Sequence, residues 1–211
     1  VSDLRTCIDS KGSEPQLYPA FLRLAGREVL LVGGGRVAAA KLPALLGAGA
    51  RVTVVAPEVR SEIEQAPVTL VRRSFEASDL DGKWFVVSAA PGPVNREVAS
   101  AAEARRVFVN AVDDVAVATA YLGGVVRKGG VTLAISTGGA APALAGLLRE
   151  GIDALLPDDL ARWEETAAAL RKSWKEQSVP MEDRRPKLLQ ALNRLYSTAG
   201  GPAFDAAGEK V

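Results

Sequence analysis

The chain has 211 residues, 48% hydrophobic and 24% charged, with 26 basic against 25 acidic side chains, one cysteine and no histidine. That length holds one large domain, or a principal domain with a smaller appendage. The net charge of +1 gives no bulk field for a polyanion, so nucleic acid is not an expected partner. Without histidine there is no Ser-His-Asp triad, Cys-His pair, HExxH zinc site or imidazole acid and base, which leaves proton chemistry to carboxylate, Lys, Tyr or Cys.

Cys7 alone cannot form an internal disulfide, which fits a reducing compartment, and a cytoplasmic location is expected. No apolar run is long enough to span a bilayer, because Gly33 to Gly35, Arg36 and Lys41 interrupt the longest candidate; no membrane association is expected. Val1 to Gln16 lacks a basic stretch followed by an apolar core, so it does not read as a signal peptide. With no initial Met, the terminus reads as processed or trimmed.

In chain order, Arg27 to Gly33 is a short apolar run ending in glycines, the pattern of a strand buried on both faces. Val37 to Leu46 is rich in Ala and Leu and is closed by the glycines of Gly47 to Ala50, predicting a helix. Arg51 to Ala56 is a second strand, and strand, glycine turn, helix and strand make a βαβ unit with a parallel sheet. Val68 to Arg72, Trp84 to Ala90 and Val107 to Ala111 continue the strands, with a helix over Val94 to Arg106, so an α/β, doubly wound, Rossmann-like fold is predicted. Ala120 to Val126 and Val131 to Ser136 then predict an antiparallel hairpin turning at Arg127 to Gly130. Helices are predicted over Ala143 to Leu155, Asp159 to Lys175 and Met181 to Tyr196, separated by Pro157 and by Ser178 to Pro180. The expected division is a nucleotide-binding domain with an N-terminal extension over 1–112, a strand region over 113–141, a helical domain over 142–196 and a flexible tail over 197–211.

Four constellations could carry chemistry. Gly33-Gly34-Gly35-Arg36-Val37-Ala38 fits G-x-G-x-x-A between a strand and a helix: Gly33 permits the turn, Gly35 lets backbone approach a pyrophosphate and Ala38 lets the helix pack closely, while helix amides face the anion. The competing reading is a glycine turn that binds no nucleotide. After the second strand, Glu58 can accept from ribose hydroxyls and repel a 2′-phosphate, which favours NAD, while Arg60 leaves NADP open and Glu58 could equally be an exposed loop acid. Asn110 to Asp114 ends a strand on the sheet's carboxyl edge, where such sheets bind ligands. A carboxylate pair there can supply an acid or base, with Asp113 the leading candidate and Asp114 read as capping or solvated. Ser136 to Pro142 is a hydroxyl- and glycine-rich loop leading into a helix, able to hold an anion or to be a plain turn. Basic residues also outnumber acidic ones over Leu160 to Tyr196, a solvated face or an attraction for an acidic small molecule.

Tyr18-Pro19-Ala20-Phe21, LAGREVLLVGGGRVAAAK, GARVTVVAPE, WFVVSAAPGPVN, VNAVDD and LAISTGGAAPALAGLLRE, in that order, resemble the dehydrogenase/ferrochelatase module of sirohaem synthase, also found as a separate precorrin-2 dehydrogenase. The resemblance runs from about Tyr18 to Leu156 and implies a Rossmann domain, a dimerisation region of strands and a helical domain in an intertwined homodimer. It implies oxidation of precorrin-2 to sirohydrochlorin with NAD and, in some members, insertion of ferrous iron. By position it implies nucleotide contacts at Gly33, Gly35, Arg36, Val37, Pro57 and Glu58, the reactive aspartate at Asp113 and the loop hydroxyl at Thr137. Arg36 stands where some relatives have Asp, the stretch after Val112-Asp113 lacks the basic residue and Pro of some relatives, and the histidine some use for metal is missing. No methyltransferase half is seen, so the single-module form is expected.

The mechanism this combination implies has the nicotinamide near the sheet's carboxyl edge, a tetrapyrrole beside it in the dimer crevice, and Asp113 taking a proton as hydride leaves. Arg127, Lys128, Thr137 and Gly138 are the expected anchors for the substrate's carboxylates. If iron is inserted, Asp113 would bind it transiently. The rival readings are an NAD-dependent oxidoreductase of another substrate and a non-catalytic NAD-sensing module.

Overall fold

The computed structural model describes residues 16–197. Cys7, nearly all of the N-terminal stretch read as lacking a signal peptide, and all of the expected tail except Ser197 lie outside the described residues. The chain divides into two compact units, the first ending at Leu122 and the second beginning at Gly123.

The first unit is built on a five-stranded sheet of order β3-β2-β1-β4-β5, with every neighbouring pair parallel. Its strands are β1 (Glu28–Val32), β2 (Arg51–Val55), β3 (Thr69–Val71), β4 (Phe85–Ser88) and β5 (Phe108–Ala111). The near-continuous apolar strands follow from burial on both faces. On one face Val29, Leu31, Val52, Val54, Phe85 and Val87 pack with Ala38, Leu42 and Leu45 of α1 (Arg36–Gly47). Strand alternation sends Leu30, Val32, Val55, Val86 and Val109 to the other face. There they meet Val98, Ala99 and Ala102, on a helix over Gly92–Ala104. The chain order reverses between β1 and β4, so the switch point of the sheet, with its crevice at the carboxyl ends, lies where Gly33 and Ala89 leave their strands.

Three short elements were not visible as periodicity: α2 (Ser61–Glu64) and single 3-10 turns at Ala77–Leu80 and Val115–Val117. The Gly92–Ala104 helix, α3, begins two residues before the expected start because Pro93 suits a helix's first turn. Past β5 the chain stays on the sheet: the Thr119 and Ala120 amides both donate to the Val109 carbonyl, and Asn110 Nδ2 donates to the Ala120 carbonyl at 2.9 Å. Those bonds take the backbone that the hairpin would need, so the hairpin strand starts at Gly124 rather than Ala120.

In the second unit β6 (Gly124–Lys128) pairs antiparallel with β7 (Val131–Ile135). The turn is Gly129-Gly130 alone, with φ of 53° and 78°, the two left-handed residues of a tight hairpin turn. Arg127 and Lys128 are therefore strand residues, not turn residues. The helices are α4 (Pro142–Leu155), α5 (Leu160–Glu176) and α6 (Met181–Ser197). A Cβ at Gly129 would stand 2.2 Å from the Ala161 amide nitrogen, so the same glycine that makes the turn lets α5 sit against it. Among the described residues no helix is long and apolar enough to cross a membrane.

Candidate active site

The glycine turn has a separate physical reason at each position. Gly33 has φ 115°, and a Cβ there would lie 2.3 Å from the Ala89 carbonyl oxygen. At Gly34 a Cβ would lie 1.9 Å from the Glu58 carbonyl oxygen, because the loop after β2 closes on the turn and the Arg60 amide donates to the Gly34 carbonyl at 2.9 Å. Around Gly35 a Cβ would meet nothing within 4 Å. Gly35 is the extended N-cap of α1, whose first turn has no acidic residue and no side-chain cap. The first amides of a helix lack intrahelical acceptors and carry the positive end of its dipole, so this end offers donors beside open space. An anionic diphosphate fits that cradle, and a side chain at Gly35 would fill it. Arg36 and Val37 are exposed and Ala38 is fully buried against the sheet.

Pro57 and Glu58 are both exposed beside this turn. Arg60 is engaged: its guanidinium donates to both Glu62 carboxylate oxygens at 3.0 to 3.2 Å and holds the Glu62 carboxyl below its ordinary value. A 2′-phosphate would have to compete with Glu62 for Arg60, while Glu58 stays available to hydroxyls. The six residues expected around the nucleotide, Gly33, Gly35, Arg36, Val37, Pro57 and Glu58, thus gather at one corner of the first unit.

Asp113 leaves β5 on the same carboxyl edge, exposed, with φ 60°. A non-glycine residue in the left-handed region is uncommon, although Asp tolerates it better than most. The Val112 amide donates to the Ser88 carbonyl at 2.9 Å, which pins the turn to β4. Asp114 is set apart from it by charge: its carboxylate faces Arg96 at 3.7 Å.

The remaining expected residues lie in the second unit. Arg127 is exposed on β6. Lys128 is occupied, donating to the Leu156 carbonyl and pairing with Asp158, both at 2.8 Å, and its hydrogen bond holds the Asp158 carboxyl below the usual range. Thr137 accepts the Ala141 amide on its hydroxyl oxygen at 3.1 Å, which leaves the hydroxyl proton to donate. The Gly138 amide is taken by Ser136 Oγ at 3.1 Å. Several bases of the helical tail also have local partners, Arg162 with Asp159 and Lys187 with Asp183.

Sequence reasoning missed Asn95. It is 2% exposed, and its amide bonds to Ser88, Ala90 and Val112. A signal was present: with Val98, Ala99 and Ala102 it forms the buried i, i+3, i+4, i+7 stripe of α3, and an amide on such a stripe requires partners.

The fold has counterparts among known proteins. Residues 20–124 match a family model described as "Putative NAD(P)-binding", and residues 128–155 match the sirohaem biosynthesis protein central model. Siroheme synthase of Citrobacter koseri is 41% identical over 172 residues, 79% of this chain and 38% of that protein. Siroheme synthase 3 of Aeromonas hydrophila is 40% identical over 202 residues, 89% of this chain and 43% of that protein. The chain thus spans about two fifths of these curated relatives. Among solved structures, SirC, a precorrin-2 dehydrogenase, superposes with a TM-score of 0.67 at 26% identity, covering 85% of this chain and 92% of that one. Fold, glycine turn and matches define an NAD(P)-binding α/β module of the kind found in sirohaem biosynthesis. By these matches the chain is a relative of the siroheme synthases over most of its own length and shares its fold with the precorrin-2 dehydrogenase SirC.

Proposed function

We propose that this chain is an NAD-dependent dehydrogenase that oxidises precorrin-2 to sirohydrochlorin. The observation that carries the reading is the glycine turn with its open side at Gly35 on the same carboxyl edge as Asp113, in a chain with no histidine. The first-turn amides of α1 take the pyrophosphate, Gly35 leaves room for it, Arg36 and Val37 border it, and Pro57 and Glu58 take the ribose side. Glu58 favours NAD over NADP, because a carboxylate accepts from hydroxyls and repels a phosphate. When bound, NAD⁺ supplies the acceptor for a hydride.

The oxidation removes one hydride and one proton from the macrocycle, and Asp113 accepts the proton. General-base help of this kind contributes roughly 10²- to 10⁴-fold. Arg127, the Thr137 hydroxyl and the Gly138 loop are assigned to the carboxylates of the substrate, whereas the bonds of Lys128 assign it to the junction between α4 and α5. Ferrous iron enters this reading only as a substrate, handled by Asp113 as pyrrole protons leave. Leu144, Leu147, Leu148 and Leu155 of α4 are exposed, which supports a homodimer in which a second copy covers them. The enzyme is assigned to the cytoplasm.

Purified protein given precorrin-2 and NAD⁺ should form NADH and sirohydrochlorin in equal amounts. Nucleotide binding without turnover would instead favour an NAD-sensing module, and NADH formed only from some other substrate would overturn the choice of precorrin-2. Adding ferrous iron after oxidation is complete reads the second activity, and an unchanged product spectrum would remove it.

A further inference from the structure

Asn95 joins two of the strand ends on the carboxyl edge of the site, those of β4 and β5. Its Oδ1 accepts the Ser88 hydroxyl at 2.6 Å and the Ala90 amide at 3.2 Å, and its Nδ2 donates to the Val112 carbonyl at 3.0 Å. The orientation is fixed by chemistry, since an amide N–H demands an oxygen opposite it and a carbonyl demands an N–H. Ser88 ends β4, Ala90 lies in the loop into α3, and Val112 directly precedes Asp113. The carbonyl of Ala89, between Ser88 and Ala90, is the atom that excludes a side chain from Gly33. One side chain therefore ties the loop backing the glycine turn to the Asp113 turn.

A left-handed Asp113 costs free energy and persists only where its surroundings over-determine it. The Asn95 bond to Val112, one residue before Asp113, is such a constraint, and Asn95 is too deeply buried to act on substrate itself. We infer that Asn95 is a positioning residue, holding Asp113 at a fixed spacing from the nucleotide turn. This rests on the reading of Asp113 as the proton acceptor.

Asn95→Asp separates positioning from packing, because it keeps shape and both acceptor bonds but loses the donor to Val112. A protonated Asp restores that donor, and burial favours the protonated form. Turnover per folded molecule, with precorrin-2 and NAD⁺, is therefore expected near wild type at acidic pH. It should fall as pH rises, by on the order of 10²-fold, the cost of a misplacement of about 1 Å, in kcat more than in KM. Asn95→Ser, which has no titrating group, should be slower at every pH with a profile parallel to wild type. Amide exchange at Val112 should quicken in Asn95→Asp over the pH range in which turnover is lost. An Asn95→Asp profile with the wild-type shape, or turnover that merely follows the folded fraction in both variants, overturns the inference. A wild type that does not oxidise precorrin-2 overturns the dehydrogenase reading and, with it, this assignment.

Discussion

Gly34 and Gly35 are neighbours with opposite reasons for being glycine. A methyl at Gly34 runs into the Glu58 carbonyl, so Gly34→Ala should lower the melting temperature sharply, by the several degrees that correspond to roughly 2 kcal/mol or more. Gly35→Ala meets no protein atom and has ordinary backbone angles, so it should fold as the wild type does and lose NAD⁺ affinity, read by titration calorimetry. Equal affinity in Gly35→Ala would place the nucleotide elsewhere. Asp113 makes the complementary case. Asp113→Gly relieves the left-handed conformation and should leave stability unchanged or raise it by up to about 1 kcal/mol while oxidation is lost; a clear loss of stability would mean that Asp113 is structural. The motif positions were legible because glycine turns leave a spacing in sequence. Asn95 was not legible, because its meaning lies in contacts with residues up to 17 positions away.

At the scale of elements, the strands and long helices follow from runs of apolar residues and helical periodicity, and these were readable. The short elements were not, because they are set by local hydrogen bonds. The 3-10 turn at Ala77–Leu80 shows this: Glu76 and Asp79 form a capping box at its N-terminal end, and Arg73 grips Asp79 through two bonds of 2.8 and 2.6 Å. The Arg73 hydrogen bond holds the Asp79 carboxyl below its ordinary value. A carboxylate depressed in the folded state stabilises above its unfolded pKa of about 4, and that contribution is lost as pH falls through the folded value. Arg73 is partly exposed, so solvent screening keeps the contribution to about 1 kcal/mol. Asp79→Asn should cost that much at neutral pH and little at the acid end of a denaturation series. A pH-independent cost would assign Asp79 to capping alone. The start of β6 was misjudged for a similar reason, since Asn110 takes the Ala120 carbonyl and nothing in the local sequence announces it.

At the scale of the molecule, the sheet places the nucleotide corner and Asp113 on one edge, and the second unit carries Arg127 and the Thr137 loop. Leu147 on α4 is 66% exposed and shares that helix with the exposed Leu144, Leu148 and Leu155. Leu147→Glu should convert a dimer to monomer in analytical ultracentrifugation, whereas an unchanged sedimentation coefficient would remove α4 from the interface. In a chain without histidine, the oxidation proposed for this fold depends on Asp113 as its proton acceptor. That dependence is tested most directly by comparing wild type and Asp113→Asn with precorrin-2 and saturating NAD⁺. The wild type should form NADH and sirohydrochlorin, and Asp113→Asn should do so at a rate lower by about 10²-fold or more with NAD⁺ affinity unchanged. Full turnover by Asp113→Asn would contradict it.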